Sequence, residues 1–155
     1  MSIQYVMHFG ICVRDLERSL RFYRDGLGFK EAGALEIAGE PTATLVELPD
    51  LALEAIYLDR EGVRIELLHY PAQGTVGSAE ARPMNQPGLT HFAIRVDDLD
   101  ETLHEIERLG GTVRRHTRVY EENFQSHLAY ATDPDGTRIE VIQTPTDPTR
   151  SADPQ

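Results

Sequence analysis

The sequence predicts an α+β protein built from two tandem βαβββ modules. Three observations predict it: a segment that occurs twice with its internal order kept, a periodicity that turns from strand-like to helical at the same point of each copy, and turn residues between short apolar runs. The duplication is plainest in "MHFGICVRDLERSL" (7–20) and "THFAIRVDDLDETL" (90–103). These share seven of 14 positions: His8/His91, Phe9/Phe92, Ile11/Ile94, Val13/Val96, Asp15/Asp98, Leu16/Leu99 and Leu20/Leu103. Near the end of each half, "DREGVRIELLHYP" (59–71) and "DPDGTRIEVIQTP" (133–145) coincide at Asp59/Asp133, Gly62/Gly136, Arg64/Arg138, Ile65/Ile139, Glu66/Glu140 and Pro71/Pro145. Two matches in the same order mark a duplicated module. The offset between copies falls from 83 residues at His8/His91 to 74 at Glu66/Glu140, so nine additional residues lie inside the first copy.

Each element follows from local chemistry. "YVMHFGICV" and "LTHFAIRV" are rich in β-branched and aromatic residues and short enough for strands. The period then becomes helical. Leu16, Leu20, Tyr23 and Leu27 fall at i, i+4, i+7 and i+11, and Leu99, Leu103 and Ile106 at i, i+4 and i+7. Asp15 and Asp98 are placed to cap the two helices, and Glu101 gives the second the spacing of a capping box. Gly26 and Gly28 end the first helix, Gly110 and Gly111 the second. A Gly-x-Gly that follows a helix is a stop signal, since a phosphate loop would open one. The stretches "TATLVEL", "LALEAIYL" and "VRIELLHY" then read as three strands of the first copy, and "TVRRHTRVY", "SHLAYAT" and "TRIEVIQ" as three of the second. "DREG" and "DPDG" carry the turns between them.

The expected organisation is a first module at 1–71, a connector at 72–88, a second module at 89–144 and a disordered tail at 145–155. The connector, "AQGTVGSAEARPMNQPG", has the composition of a flap over a site; the tail has almost nothing to bury.

With 155 residues, 40% of them hydrophobic, the chain can bury a sizeable core. It has no apolar run near the roughly 18 residues of a membrane span and no secretory layout at its start, so no membrane partner is expected and the expected location is cytoplasmic. One cysteine, Cys12, excludes an intrachain disulfide framework and a cysteine-built zinc site. The formal net charge of -11 repels polyanions, which argues against nucleic acid as a partner. The acidic run Asp97, Asp98, Asp100, Glu101, Glu105 and Glu107 reads as the solvated face of a helix.

The repeated polar residues inside apolar strands need a cause. A strand histidine is usually packed or hydrogen-bonded, a strand glutamate usually faces water, and an unpaired buried carboxylate is expensive. Neither ordinary role explains why His8 and Glu66 recur as His91 and Glu140. If the modules pack with pseudo-twofold symmetry, their first and last strands bring two imidazoles and two carboxylates to one place. That donor set suits one divalent ion, Ni, Co, Mn, Fe or Zn, with water completing the shell. His69, His104, His116 and His127 have no histidine counterpart and are set aside.

On "HFGICVRDLERSLRFYRDGLGF", "GVRIELLHYP", "GLTHFAIRVDDLD" and "DPDGTRIEVI" the chain resembles the vicinal oxygen chelate superfamily, which holds glyoxalase I, methylmalonyl-CoA epimerase, extradiol dioxygenases, and the fosfomycin and bleomycin resistance proteins. The resemblance spans residues 5–144. It implies paired βαβββ modules forming a cupped, mostly antiparallel eight-stranded sheet around a metal site. The order His8, Glu66, His91, Glu140 looks like glyoxalase I and the epimerases, whereas extradiol enzymes normally use two histidines and one glutamate, and bleomycin-type resistance proteins usually lack the ligands. Glyoxalase I typically holds glutathione with an arginine four residues after its first histidine and an asparagine four after its first glutamate. Here those places are Cys12 and Tyr70.

The implied chemistry is proton abstraction next to a carbonyl, through an enolate or enediolate, on a small carbonyl or thioester substrate: a lyase, isomerase or epimerase reaction. Glu140 is the first choice for base and Glu66 the second. Tyr70, on the face of Glu66, and Arg95, on the face of His91, are candidate substrate contacts. No organic cofactor is expected. The alternatives are an Fe(II)-dependent extradiol-type dioxygenase and a small-molecule-binding resistance protein without turnover. An open sheet edge, and the habit of relatives, would favour a homodimer.

Overall fold

The computed structural model describes residues 2–147, and the protein has the α+β architecture predicted from its sequence. Of the expected tail, residues 148–155 lie outside the described residues. The first module contains β1 (Phe9–Val13), α1 (Leu16–Leu20), β2 (Lys30–Ala38), α2 (Thr42–Val46), β3 (Ala52–Arg60) and β4 (Val63–His69). The second contains β5 (Phe92–Val96), α3 (Leu99–Arg108), β6 (Thr112–Glu121), β7 (Ser126–Thr132) and β8 (Arg138–Gln143), with a single 3-10 turn at Glu122–Phe124. The eight strands form two sheets of four, in the orders β1-β4-β3-β2 and β5-β8-β7-β6. In each, the first strand lies parallel to the last and the other pairs are antiparallel. The chain divides into two compact units between Ser78 and Ala79, within the expected connector. Among the described residues no helix is long and apolar enough to cross a membrane.

Strand alternation decides what each sheet buries. On β4, Ile65 and Leu67 are buried beneath the helix-bearing side while Arg64, Glu66 and Leu68 point the other way. On α3, Leu99, Leu103 and Ile106 are all buried, as their spacing predicts, and Asp98 Oδ1 accepts from Glu101 N at 2.9 Å. Asp15 caps α1 in the same way, from Arg18 N at 2.9 Å. The acidic face of α3 is not merely solvated, because arginines meet it: Arg115 bonds Glu107 at 2.8 Å, and Arg118 pairs with Asp100 and holds its carboxyl below the usual range.

Two elements differ from expectation. The first helix widens into a π-helical segment, Arg21–Gly26, with Leu27 N donating to Phe22 O at 2.9 Å. Within it Phe22 is buried beside Tyr23, although its position lies off the helical stripe of Leu16, Leu20, Tyr23 and Leu27. The second difference is "TATLVEL", expected as a strand. Residues 42–46 of it form α2, and the second strand is instead "KEAGALEIA". That strand lies at the sheet edge and is mostly exposed, so its hydrophobic pattern is faint. The helix is selected by packing: Ala43 is buried in a cluster with Leu51, Leu53 and Ala55, against which Val46, Leu48, Leu68 and Tyr70 pack. The β2–β3 connection, residues 39–51, has thirteen residues where β6–β7 has four, 122–125, which places the nine additional residues of the first copy. Leu68 and Ala55 are register partners two residues from Glu66 and Tyr57 and so share their face, which places this insertion on the sheet face that carries Glu66.

Side chains tie the connector down at both ends. Arg14 donates to Thr75 Oγ1 at 2.9 Å and to Gly77 O at 2.7 Å in the first unit; Arg138 donates to Arg82 O at 2.6 Å in the second. The turns differ in build. Glu61 and Gly62, at φ 50° and 81°, make the two-residue β3–β4 turn whose twist suits paired strands. The β7–β8 turn is organised by Asp133, whose Oδ1 accepts from Asp135 N at 2.9 Å and Thr137 N at 2.7 Å. There Gly136 has φ 97° and sits against the backbone of Ala79, so an added Cβ would collide with it. Gly136→Ala is therefore expected to destabilise by about 2 kcal/mol or more. Gly62→Ala, which meets open space, should cost about 1 kcal/mol. Urea midpoints at unchanged slope measure both.

Candidate metal and catalytic site

His8 and His91 each lie one residue before a strand, β1 and β5, at equivalent places in the two modules. The parallel pairing of first and last strands then carries each histidine to its glutamate. Gly10 is the register partner of Glu66, and Ala93 of Glu140. With side chains alternating, His8 and Gly10 share the face of Glu66, and His91 and Ala93 that of Glu140. The outcome is the same in both modules: His8 Nε2 lies 3.0 Å from Glu66 Oε2, and His91 Nε2 3.1 Å from Glu140 Oε2.

A third residue completes each pair. Tyr57 on β3 is the register partner of Glu66, and Tyr130 on β7 that of Glu140. Each phenol is raised in part by its neighbouring glutamate. Each ring also stands edge-on to its histidine, with centroids 5.5 Å apart in both modules and interplanar angles of 68° and 77°. The two tyrosines escape the sequence comparison for a simple reason. At the offset of 74 that aligns the glutamates, Tyr57 falls on Ala131, because the second hairpin is one residue longer between tyrosine and glutamate. Counting back from each glutamate across its own turn would have found them.

The electrostatics of the two clusters differ. The hydrogen bond to Glu66, helped by burial and by that carboxylate's charge, pushes the Tyr57 phenol up to about 12. The Tyr130 phenol is also raised, chiefly by burial and then by Glu140, against an opposing pull from Arg138, whose guanidinium lies 5.7 Å over the ring. Thr90 Oγ1 holds His91 Nδ1 at 2.9 Å. His8 Nδ1 is buried with no hydrogen-bond partner among the described residues.

These donor sets fit a divalent ion. Two ligands each about 2.1 Å from a metal and at a right angle to one another are separated by about 3.0 Å, the nitrogen–oxygen distance in both pairs. Imidazole and carboxylate together suit Zn, Fe, Co, Ni or Mn. Each module contributes two donors; among the described residues no three His, Cys, Asp or Glu side chains are grouped to hold a metal.

Tyr70 packs against the insertion cluster, and burial raises its phenol above the usual range. Arg95 directs its guanidinium to backbone, donating to Thr144 O at 3.2 Å and Pro145 O at 2.8 Å. His69, set aside from sequence, pairs with Glu54 at 2.8 Å on the opposite face of β4. Its counterpart Gln143 does structural work, accepting from Leu99 N at the start of α3.

Residues 5–141 match the family model described as the Glyoxalase/Bleomycin resistance protein/Dioxygenase superfamily. A probable lactoylglutathione lyase from Vibrio cholerae is 33% identical over 144 residues, covering 92% of this chain and 93% of its own length. One from Synechocystis sp. is 31% identical over 140 residues, with coverages of 90% and 95%. Among solved structures, a glyoxalase family protein from Bacillus cereus superposes with a TM-score of 0.78 at 20% identity, covering 93% of this chain and 96% of that one.

Proposed function

The chain belongs to the glyoxalase/bleomycin resistance protein/dioxygenase superfamily, and from that premise we propose that it is a divalent-metal-dependent enzyme that moves a proton next to a carbonyl, a lyase of the glyoxalase type. The observation that carries this reading is the recurrence of one His–Glu contact, of matching separation and matching tyrosine partner, in both halves of the chain. The probable lactoylglutathione lyases of Vibrio cholerae and Synechocystis sp. support a lyase of this kind. His8, Glu66, His91 and Glu140 would hold one ion between them. The second glutamate favours proton transfer over ring cleavage.

A bound divalent ion would supply Lewis-acid stabilisation of charge developing on the carbonyl oxygen. Glu140 takes the proton from the adjacent carbon, leaving the substrate as an enolate or enediolate, and returns it to complete a lyase, isomerase or epimerase reaction. Glu66 remains a ligand. Tyr70, packed against the insertion, and Arg95, on the His91 face, would be the substrate contacts. The glutathione-holding arginine and asparagine are replaced by Cys12 and by a Tyr70 already engaged in packing. This supports a small carbonyl or thioester substrate with a handle other than glutathione.

Elemental analysis of the protein as purified tests the shared site. One equivalent of Ni, Co, Mn, Fe or Zn per chain is expected, and loss of binding on His8→Ala and on His91→Ala alike. Two equivalents, each removed by only one of these variants, would mean separate sites. Iron with Fe(II)-dependent oxygen consumption would select a dioxygenase, and tight ligand binding without metal or turnover a binding protein.

A further inference from the structure

We infer that Arg114 is a substrate-binding residue that holds an anionic group, a carboxylate or a phosphate, on the carbonyl compound whose proton Glu140 moves. The inference rests on the proposed proton transfer and gives its substrate a charge: an acid or a phosphate ester, in place of a neutral carbonyl compound.

The stretch "TVRRHTRV" (112–119) carries three arginines on the edge strand β6. Regular alternation would put Arg114 and Arg118 on one face and Arg115 on the other. A bulge breaks that alternation. The register passes from Arg114, opposite Tyr130, to Val119, opposite Leu128, so five steps along β6 answer two along β7. Thr117 closes the bulge, its hydroxyl donating to Arg114 O at 2.7 Å and accepting from Tyr130 N at 2.8 Å. Arg118 is thereby turned to join Arg115 on the helix side, where the two pair with Asp100 and Glu107 of α3. Arg114 goes the other way. Its register partner Tyr130 is itself the partner of Glu140, and paired residues share a face, so Arg114 lies on the Glu140 side of the sheet. Bulges that re-aim a side chain recur next to active sites.

Nothing in the fold uses the Arg114 guanidinium. It is half-buried, and among the described residues it has no hydrogen bond or ion pair. Arg95 and Arg138, on the same face, are engaged: Arg95 holds Thr144 O and Pro145 O, and the buried Arg138 holds Arg82 O. The first module has no such cation, since Gly33 is the register partner of Tyr57 and a Cβ there would meet open space. A guanidinium with free donors matches the paired oxygens of a carboxylate or phosphate. In a chain of net charge -11, an anion approaching Glu140 also needs a local cation to offset repulsion. Strands β6 and β8 stand about 10 Å apart across β7, a span that the long arginine side chain and a substrate of a few carbon atoms cover together.

Levulinate and dihydroxyacetone phosphate test this against their neutral counterparts, methyl levulinate and dihydroxyacetone. In the protein as purified, the Arg114 Nε–H resonance, assigned with Arg114→Gln, should shift with at least one anion and with neither neutral compound; the anion that moves it separates carboxylate from phosphate. In exchange of substrate hydrogen with solvent deuterium, the wild type should prefer that anion to its neutral counterpart. Arg114→Gln should lower the preference about tenfold to a hundredfold, the size expected for a hydrogen bond to a charged group, and the loss should fall mainly in KM. Arg114→Lys, which keeps the charge without the fork, should recover part of it. A resonance indifferent to both anions, wild-type exchange without preference for an anion, or a preference that survives Arg114→Gln would overturn the inference. No exchange of any of the four compounds, with the Arg114 resonance still answering an anion alone, would overturn the proton transfer on such substrates and leave the anion site standing.

Discussion

Glu140→Gln should lower the exchange of substrate hydrogen with solvent deuterium by about a thousandfold, within the range that loss of a positioned general base produces. The amide keeps the size of the side chain and an oxygen that can accept from Tyr130, so the fold and the His91 contact should survive. What it lacks is a lone pair basic enough to take a proton at neutral pH. The measurement is disappearance of the substrate's α-proton signal in deuterium oxide, with metal content determined on the same sample. Glu66→Gln serves as the comparison, and its main defect should be weaker metal retention. If Glu140→Gln exchanged at the wild-type rate with its ion still bound, the base would have to be sought elsewhere, first at Glu66.

Stripping the ion with a chelator should have an effect of similar size. Stabilisation of a developing oxyanion by a divalent cation amounts to several kcal/mol, and at about 1.4 kcal/mol per tenfold this is about three orders of magnitude in turnover. Returning Ni, Co, Mn, Fe or Zn one at a time should restore activity to different extents, and the ion that restores it most fully identifies the working metal. The same additions should raise the midpoint of thermal unfolding, because an ion that binds only the folded chain stabilises it. Turnover that persists after the metal is verifiably removed would refute the mechanism.

Much of this was legible in the chain because duplication acts as an internal control. His8 and Glu66 would be unremarkable alone; their recurrence as His91 and Glu140 separates them from His69, which pairs with Glu54 and recurs as a glutamine. Helix α3 was readable because its apolar residues, Leu99, Leu103 and Ile106, all face one way. The rest depended on tertiary choices that leave little local trace. Phe22 is buried within a widened helical turn, off the stripe that Leu16, Leu20, Tyr23 and Leu27 define. "TATLVEL" carries strand-forming residues yet coils to fill the hollow above Ala55 and Leu53. Tyr57 and Tyr130 are equivalent across hydrogen-bond ladders but out of step in the sequence, since ladders measure position from the turn and alignments measure it from the neighbouring residue.

The thirteen-residue β2–β3 connection gives the molecule freedom to specialise. Lengthening a surface excursion carries only a small, logarithmic entropic penalty, and this one packs against Tyr70 and Leu68 while the strand after His8 and the strand carrying Glu66 keep their register. One descendant half can therefore acquire a new wall on the sheet face of Glu66 while its twin preserves the ancestral outline. Selection can retune which molecules are admitted without renegotiating the chemistry.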